Sequence, residues 1–398
     1  MLGIITEYNP FHNGHKLHIE KSKKETNSNY CIVVMSGNFS QRGEPTLFDK
    51  YLRTKMALLN GADIVLELPL TFATASAELF ALGAVDILDK TGIVTNICFG
   101  SENGNIDNFL EVANILSNEP LEFKQNLTHF LNEGLSFPKA RINALEKTLN
   151  KNIDFLNEPN NILSIEYLKA INKLNSKIIP KTIKREKANF HSNKINGNIA
   201  SATAIRYAFF NSEYNNVKKV VPKNCFDLIE DMSPFNTPTL DDYTNILKYI
   251  LKTSNIENIK NIADITEGIE NKILENVNSM SITNLIENIK SKRYTYTKLQ
   301  RAILHIILNI TKNDQQYLKE NLNPYIRVLG FKKESSYLLK DLTENAKVPI
   351  ITNLKNAKKQ LDNKGIYYLN KEIKSTDIYY LFQNKNNNEE YRQPLVIV

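Results

Sequence analysis

Gly3-Ile-Ile-Thr-Glu-Tyr-Asn-Pro-Phe-His-Asn-Gly-His15 is the stretch on which the reading of this chain turns. It opens with a short apolar run, residues 2–6, whose length and β-branched content suit a buried strand. A turn follows at Asn9-Pro10, and His12-Asn13-Gly14-His15 leads into residues 16–23, which read as a helix. A strand, a sharp turn and a helix N-terminus together make an anion site, because free amide N–H groups and the helix dipole both favour phosphate. The imidazoles of His12 and His15, three residues apart, share a face and can reach the same phosphate oxygens. Gly14 leaves room for a flat group close to the backbone. Three of the chain's six histidines, His12, His15 and His18, fall within this stretch, which argues against an incidental surface turn.

Outward from this stretch, strand-like runs recur at 30–35, 63–68, 94–99 and 178–183, the third of these followed at once by Gly100. Helical patterns lie between them: 46–61, with Asp49, Lys50 and Arg53 read as exposed, and the Ala-rich 72–89. Residues 105–150 read as two amphipathic helical segments. The βαβαβαβ alternation predicts a doubly wound α/β domain with a parallel sheet and right-handed crossovers. Ligands of such sheets bind beyond the carboxyl ends of the strands, so the polar loop at 36–45 should face the same crevice as His12 and His15. Ser36, Asn38 and Arg42 are its candidate contacts, and Gly100 is a second point of close backbone approach. Asn160 or Asn161 falls at a helix N-terminus. In Ile199-Ala-Ser-Ala-Thr-Ala-Ile-Arg206, Ser201 can cap a helix, and the Ser201 amide with the Arg206 guanidinium, one turn inside, suits a β- or γ-phosphate of ATP.

The 398 residues are 42% apolar and 23% charged, the profile of an ordinary globular chain. No apolar run approaches the ~20 residues that span a bilayer. Met1 leads directly into the first strand without a basic, apolar leader, so the expected location is the cytoplasm. Cys31, Cys98 and Cys225 are widely spaced and odd in number, which supports neither a disulfide framework nor a metal site. The net charge of +7 is unevenly spread. Residues 1–220 carry 25 basic and 22 acidic side chains, residues 221–290 carry 6 and 11, and residues 291–398 carry 19 and 10. A basic C-terminal third fits a polyanionic partner such as nucleic acid; on charge alone it fits a solvated lysine-rich face equally. Residues 221–398 read as mostly amphipathic helix, so two regions are expected, 1–220 and 221–398.

Asn9-Pro-Phe-His-Asn-Gly-His15 resembles the phosphate-binding HxGH signature of the nucleotidyltransferase-like superfamily, and Ser201-Ala-Thr-Ala-Ile-Arg206 resembles its second, ISSTxxR-like signature. With Met35-Ser-Gly-Asn-Phe39, Gly61-Ala-Asp-Ile-Val-Leu-Glu-Leu-Pro69, Pro159-Asn160, Lys292-Arg-Tyr-Thr295, Leu299-Gln-Arg301, Arg327-Val-Leu-Gly330 and Tyr391-Arg-Gln-Pro394, the chain resembles the bacterial tRNA(Met) cytidine acetate ligases over essentially its whole length.

That resemblance implies acetylation of N4 of the wobble cytidine of elongator tRNA(Met), from ATP and free acetate by way of acetyl-adenylate. It also implies ATP contacts along Ile5, Thr6, Glu7, Tyr8, Asn9, Pro10, Phe11, His12, Asn13, Gly14, His15, Lys16, Leu17 and His18, and at Gly100, Asn160 and Arg185. His12 and His15 fall to the α- and β-phosphates, Gly14 to the adenine or ribose, and Arg185 and Arg206 to the leaving pyrophosphate. Mg²⁺ enters largely through the phosphates, with no protein metal site and no protein partner. Lys292, Arg293 and Arg301, interleaved with Tyr294 and Tyr296, form the most RNA-like cluster, although an exposed helix start fits them as well. A nucleotidylyltransferase acting on a small phosphorylated acceptor and a non-catalytic RNA-binding protein are the competing readings.

Overall fold

The apolar run at Leu2–Thr6 is strand β1, and four more runs follow as Cys31–Ser36 (β2), Ile64–Leu68 (β3), Asn96–Ser101 (β4) and Ile179–Lys184 (β5). The computed structural model describes residues 1–185, 195, 197–266, 268–291, 294–383 and 385–398. The five strands lie parallel in the order β5-β4-β1-β2-β3, with Ile4 beside Val33, Val33 beside Val65 and Phe99 beside Thr182. Every residue of β2 and β3 is buried, which is why they read as unbroken apolar runs rather than alternating ones. The strand order reverses between β1 and β4, where a doubly wound sheet opens a crevice at its carboxyl edge.

Residues 221–398 are mostly helical, and they also return to the sheet. Ile326–Phe331 (β6) pairs antiparallel with β3, and the short strands Ile350–Ile351 (β7) and Val396–Ile397 (β8) pair parallel with β6. The division expected at residue 220 is therefore crossed by one eight-stranded sheet. A separate apolar cluster, built around Tyr243, Leu285 and Ile303, takes in Phe39 from the loop after β2. That loop is thereby wedged between the sheet and the helical region.

Helix α1 (Asn13–Glu25) follows β1, and α2 (Lys50–Leu59) follows β2. The α2 pattern extended back to residue 46, but Asp49 ends it there: its carboxylate accepts from the amides of Tyr51 (3.0 Å) and Leu52 (2.9 Å), the geometry of an N-cap. Lys50 and Arg53, expected to be exposed, are fully buried: Lys50 meets Glu67 and Glu390, and Arg53 turns into the ends of β1 and β2. Lys50 Nζ lies 2.5 Å from both Glu67 and Glu390. Arg327 lies 2.9 Å from Glu67, contacts Glu390, and donates to Tyr51 Oη at 3.1 Å. The β3–β6 register sets Glu67 opposite Arg327, so two cations meet two carboxylates in the interior. Residues 105–150 form three helices rather than two, since Glu119 adopts a left-handed φ of 42° ahead of Pro120. Among the described residues no helix is long and apolar enough to cross a membrane.

Candidate active site

Beyond the carboxyl ends of β1 and β4 lies a cavity of about 650 Å³. The chain leaves β1, turns through Tyr8 and a cis Asn9–Pro10 bond, and enters α1 with His12 at its N-cap. The His12 carbonyl accepts from the amides of His15 (2.9 Å) and Lys16 (3.2 Å). The His12 and His15 rings stack with centroids 3.6 Å apart, and Tyr8 packs on His15 at 4.7 Å. Gly14 makes the stack possible: a Cβ there would lie 2.9 Å from His12 Cε1. The flat group against this backbone is the His12 imidazole itself.

Nδ1 of His12, Nδ1 of His15 and Nε2 of His18 are buried with no hydrogen-bond partner among the described residues. Burial, with Arg185 adding repulsion, depresses His12 to about 3 and His18 to about 4. His15 is held well below the ordinary histidine range by burial and by His12, Arg185 and His18. The three rings are thus neutral at physiological pH, each with one donor and one acceptor nitrogen. Unpaired buried nitrogens cost about 1–3 kcal/mol each.

The opposite wall is built from β4 and β5. A Cβ on Gly100 would sit 3.1 Å from Arg185 Cγ, so the missing side chain leaves room for that arginine. The Arg185 amide donates to Ser101 O at 2.9 Å, fixing the exit of β5. Asn160, in the helix Pro159–Lys173, lines the cavity and donates to Glu102 Oε1 at 2.5 Å. Its neighbour Asn161 is fully buried, accepting from the Glu102 (2.9 Å) and Asn103 (3.3 Å) amides and donating to Phe155 O (2.7 Å). Asn160 therefore faces the cavity and Asn161 shapes the loop behind it. Phe80, Phe99, Leu163 and Tyr167 form an apolar flank able to take a flat base.

A third wall comes from the helix Ala202–Phe210 and the loop 37–49. Ser201 Oγ caps this helix by accepting from Ala204 N at 3.1 Å. Arg206 donates to Asn9 O at 2.9 Å and pairs with Glu44 at 3.1 Å. Gln41 N donates to Glu7 Oε1 at 2.6 Å, and Leu47 N to Asn9 Oδ1 at 2.7 Å, stapling the loop to the turn after β1.

Residues 1–394 match the HIGH Nucleotidyl Transferase family. A Clostridium perfringens tRNA(Met) cytidine acetate ligase is 45% identical over 388 residues, covering 95% of this chain and 94% of that protein. Its counterpart from Halothermothrix orenii is 41% identical over 400 residues, covering 96% and 94%. The chain belongs to the tRNA(Met) cytidine acetate ligase family. Crystal structures of Thermotoga maritima TmcAL, as the apo protein and bound with alpha-thio ATP, superpose with TM-scores of 0.94 and 0.93 at 32% identity, over 100% of this chain and 99% of theirs.

Within this member of the family, most of residues 5–18 line the cavity, together with Gly100, Asn160, Arg185, Ser201 and Arg206. Four residues of that segment do not. Pro10 and Phe11 are buried in the packing beneath, Asn13 donates to Asn198 O (3.0 Å) and Lys219 O (3.2 Å), and Lys16 is exposed. Of the loop residues, Arg42 lines the cavity. Ser36 and Asn38 do not, which corrects the expectation. Ser36, the last residue of β2, is fully buried, and Asn38 accepts from Lys50 N (2.8 Å) and donates to Thr376 Oγ1 (3.2 Å), turning away from the crevice.

Arg301 pairs with Asp264 at 3.0 Å, and the backbone of Gly43 packs directly on it, so Arg301 joins the loop to the helical region rather than standing on an open basic face. Lys292 and Arg293 lie outside the described residues. Arg53, expected on the exposed face of its helix, instead serves the site. Its guanidinium donates to Phe48 O (2.9 Å), Glu7 O (2.6 Å), Ser36 O (3.1 Å) and Gly37 O, tying together the ends of β1 and β2. Nothing in an amphipathic stripe distinguishes a buried arginine from an exposed one.

Proposed function

We propose that this chain is an ATP-dependent ligase that activates acetate as acetyl-adenylate and transfers the acetyl group to N4 of the wobble cytidine of elongator tRNA(Met). The observation that carries the reading is the stacked His12–His15 pair at a helix N-terminus, lining the cavity, in a chain whose relatives carry this name. Acetate is a poor acyl donor. Its carboxylate oxygen attacks the α-phosphorus of ATP, pyrophosphate leaves, and the cytidine amine then displaces AMP from the mixed anhydride.

The first step gathers negative charge on phosphoryl oxygens, and its catalysis is mainly positioning and electrostatic stabilisation. The N–H groups of His12 and His15 and the first amides of α1 are assigned to the α- and β-phosphates. The flank of Phe80, Phe99, Leu163 and Tyr167 is assigned to adenine, and Arg185 to the leaving pyrophosphate, with Arg206 held beside it by Asn9 and Glu44. Mg²⁺ is proposed to enter on the nucleotide, with phosphate oxygens as its main ligands. The basic third of the chain, residues 291–398, is assigned to the tRNA, with Lys292 and Arg293 as candidate contacts. A tRNA substrate supports a cytoplasmic location.

Incubation with labelled acetate, ATP and bulk tRNA, followed by nucleoside analysis, tests the reading. The expected products are AMP and labelled N4-acetylcytidine in tRNA. AMP joined to a small phosphorylated acceptor, or no ATP turnover at all, overturns it.

A further inference from the structure

We propose that Glu7 is the general base of acetyl transfer, taking the proton that cytidine N4 loses as it attacks acetyl-adenylate. The assignment rests on the acetate-ligase reading above. Glu7 is the first residue past β1, at the junction between the nucleotide half of the cavity, marked by His12, His15 and Gly100, and the half formed by the loop 37–49. Both ends of the residue are fixed. Its carbonyl accepts from Arg53 Nη1 at 2.6 Å, and its Oε1 accepts from Gln41 N at 2.6 Å.

The reaction needs such a group. The N4 lone pair of cytosine is delocalised into the ring, so the amine is a weak nucleophile until a proton leaves with bond formation. In the step proposed, N4 bonds to the acetyl carbon and the carbonyl carbon–oxygen bond to the phosphate breaks. AMP departs with that oxygen, and one N4 proton passes to Glu7 and then to water. A carboxylate is also the natural acceptor for the N4 amino group before reaction, which distinguishes cytosine from uracil.

The other titratable groups around the cavity fit the role less well. Glu44 is committed to Arg206 at 3.1 Å. His12, His15 and His18 lie beside Arg185 and have depressed proton affinity. Glu7 goes the other way. Burial, and then the Glu44 charge, push its pKa up, against the Gln41 hydrogen bond, Arg42 and Arg206, and a higher pKa makes a stronger base. Arg53 from α2 and Tyr167 from the helix Pro159–Lys173 also feel its charge.

The test supplies synthetic acetyl-adenylate and a tRNA transcript to the full-length protein, so that adenylate formation is bypassed. Glu7→Gln is expected to slow N4-acetylcytidine formation about 100-fold and to remove the acid limb of its pH–rate profile, while Glu7→Asp keeps the limb at reduced rate. In parallel, acetate-dependent ATP–pyrophosphate exchange by Glu7→Gln should fall by a smaller factor than transfer. Transfer by Glu7→Gln with an unchanged acid limb, or equal losses in exchange and transfer, overturns the assignment. If wild-type protein cannot use acetyl-adenylate, the acetate-ligase reading falls, and this assignment with it.

Discussion

Replacing Arg53 with Met should cost the protein about 3–5 kcal/mol of stability. The side chain is fully buried, and its guanidinium supplies the donors for four carbonyls, those of Phe48, Glu7, Ser36 and Gly37. A buried acceptor left without a donor costs about 1–3 kcal/mol, and the four losses do not add fully because carbonyls shift and share donors. Removing the guanidinium also relieves the burial that pushes its pKa down to about 10, which trims the total. Arg53→Lys keeps a charge but has a single nitrogen, so it should lose roughly half as much. The assay is equilibrium urea unfolding of both variants beside the wild type. Acetylation at a temperature where all three are folded should fall at least about 10-fold in Arg53→Met, since the Glu7 carbonyl loses its anchor. A Met variant within about 1 kcal/mol of wild type would refute the claim that this arginine holds the strand ends together.

Gly14→Ala should raise helix stability by up to about 1 kcal/mol while lowering acetate-dependent ATP–pyrophosphate exchange at least about 10-fold, because its Cβ displaces the His12 ring; calorimetry and exchange kinetics together check both signs. His15→Ala should abolish adenylate formation and leave tRNA affinity within about twofold, measured by filter binding. For Glu372, burial and the neighbouring Glu67 push the pKa up to about 8, so the folded protein holds a proton between about 4.5 and 8 that the unfolded chain has released. Stability contributed by this group is therefore present at low pH and declines as pH rises through that window. Glu372→Gln should flatten the fall in melting temperature between pH 5 and about 8, and an unchanged slope would assign that titration to another group.

The N-terminal half of the sheet was legible because β2 and β3 are buried on both faces and end at Gly37 and Pro69, and β1 and β4 are largely buried, so length and β-branched content mark them. β6 was not read as a strand. Arg327 interrupts its apolar pattern, and its charge is explicable only by Glu67 and Glu390, which lie 260 and 63 residues away in sequence. The same long-range network hides Lys50, and the carbonyls at the ends of β1 and β2 hide Arg53, although their spacing on α2 mimics an exposed stripe. In the site, the signature residues His12, Gly14 and His15 were visible, yet Gly14 serves the histidine stack rather than a ligand plane. Ser36 and Asn38 were placed by loop position alone, and strand-end geometry turned both inward.

The most direct measurement of the central claim is the fate of oxygen from acetate. With [18O]acetate, ATP and tRNA(Met), adenylation followed by attack of N4 on the acyl carbon transfers one acetate oxygen to AMP. Mass spectrometry should find one 18O in the AMP for each N4-acetylcytidine formed. AMP free of 18O, or label in inorganic phosphate with ADP as product, would contradict an acetyl-adenylate built over His12 and His15.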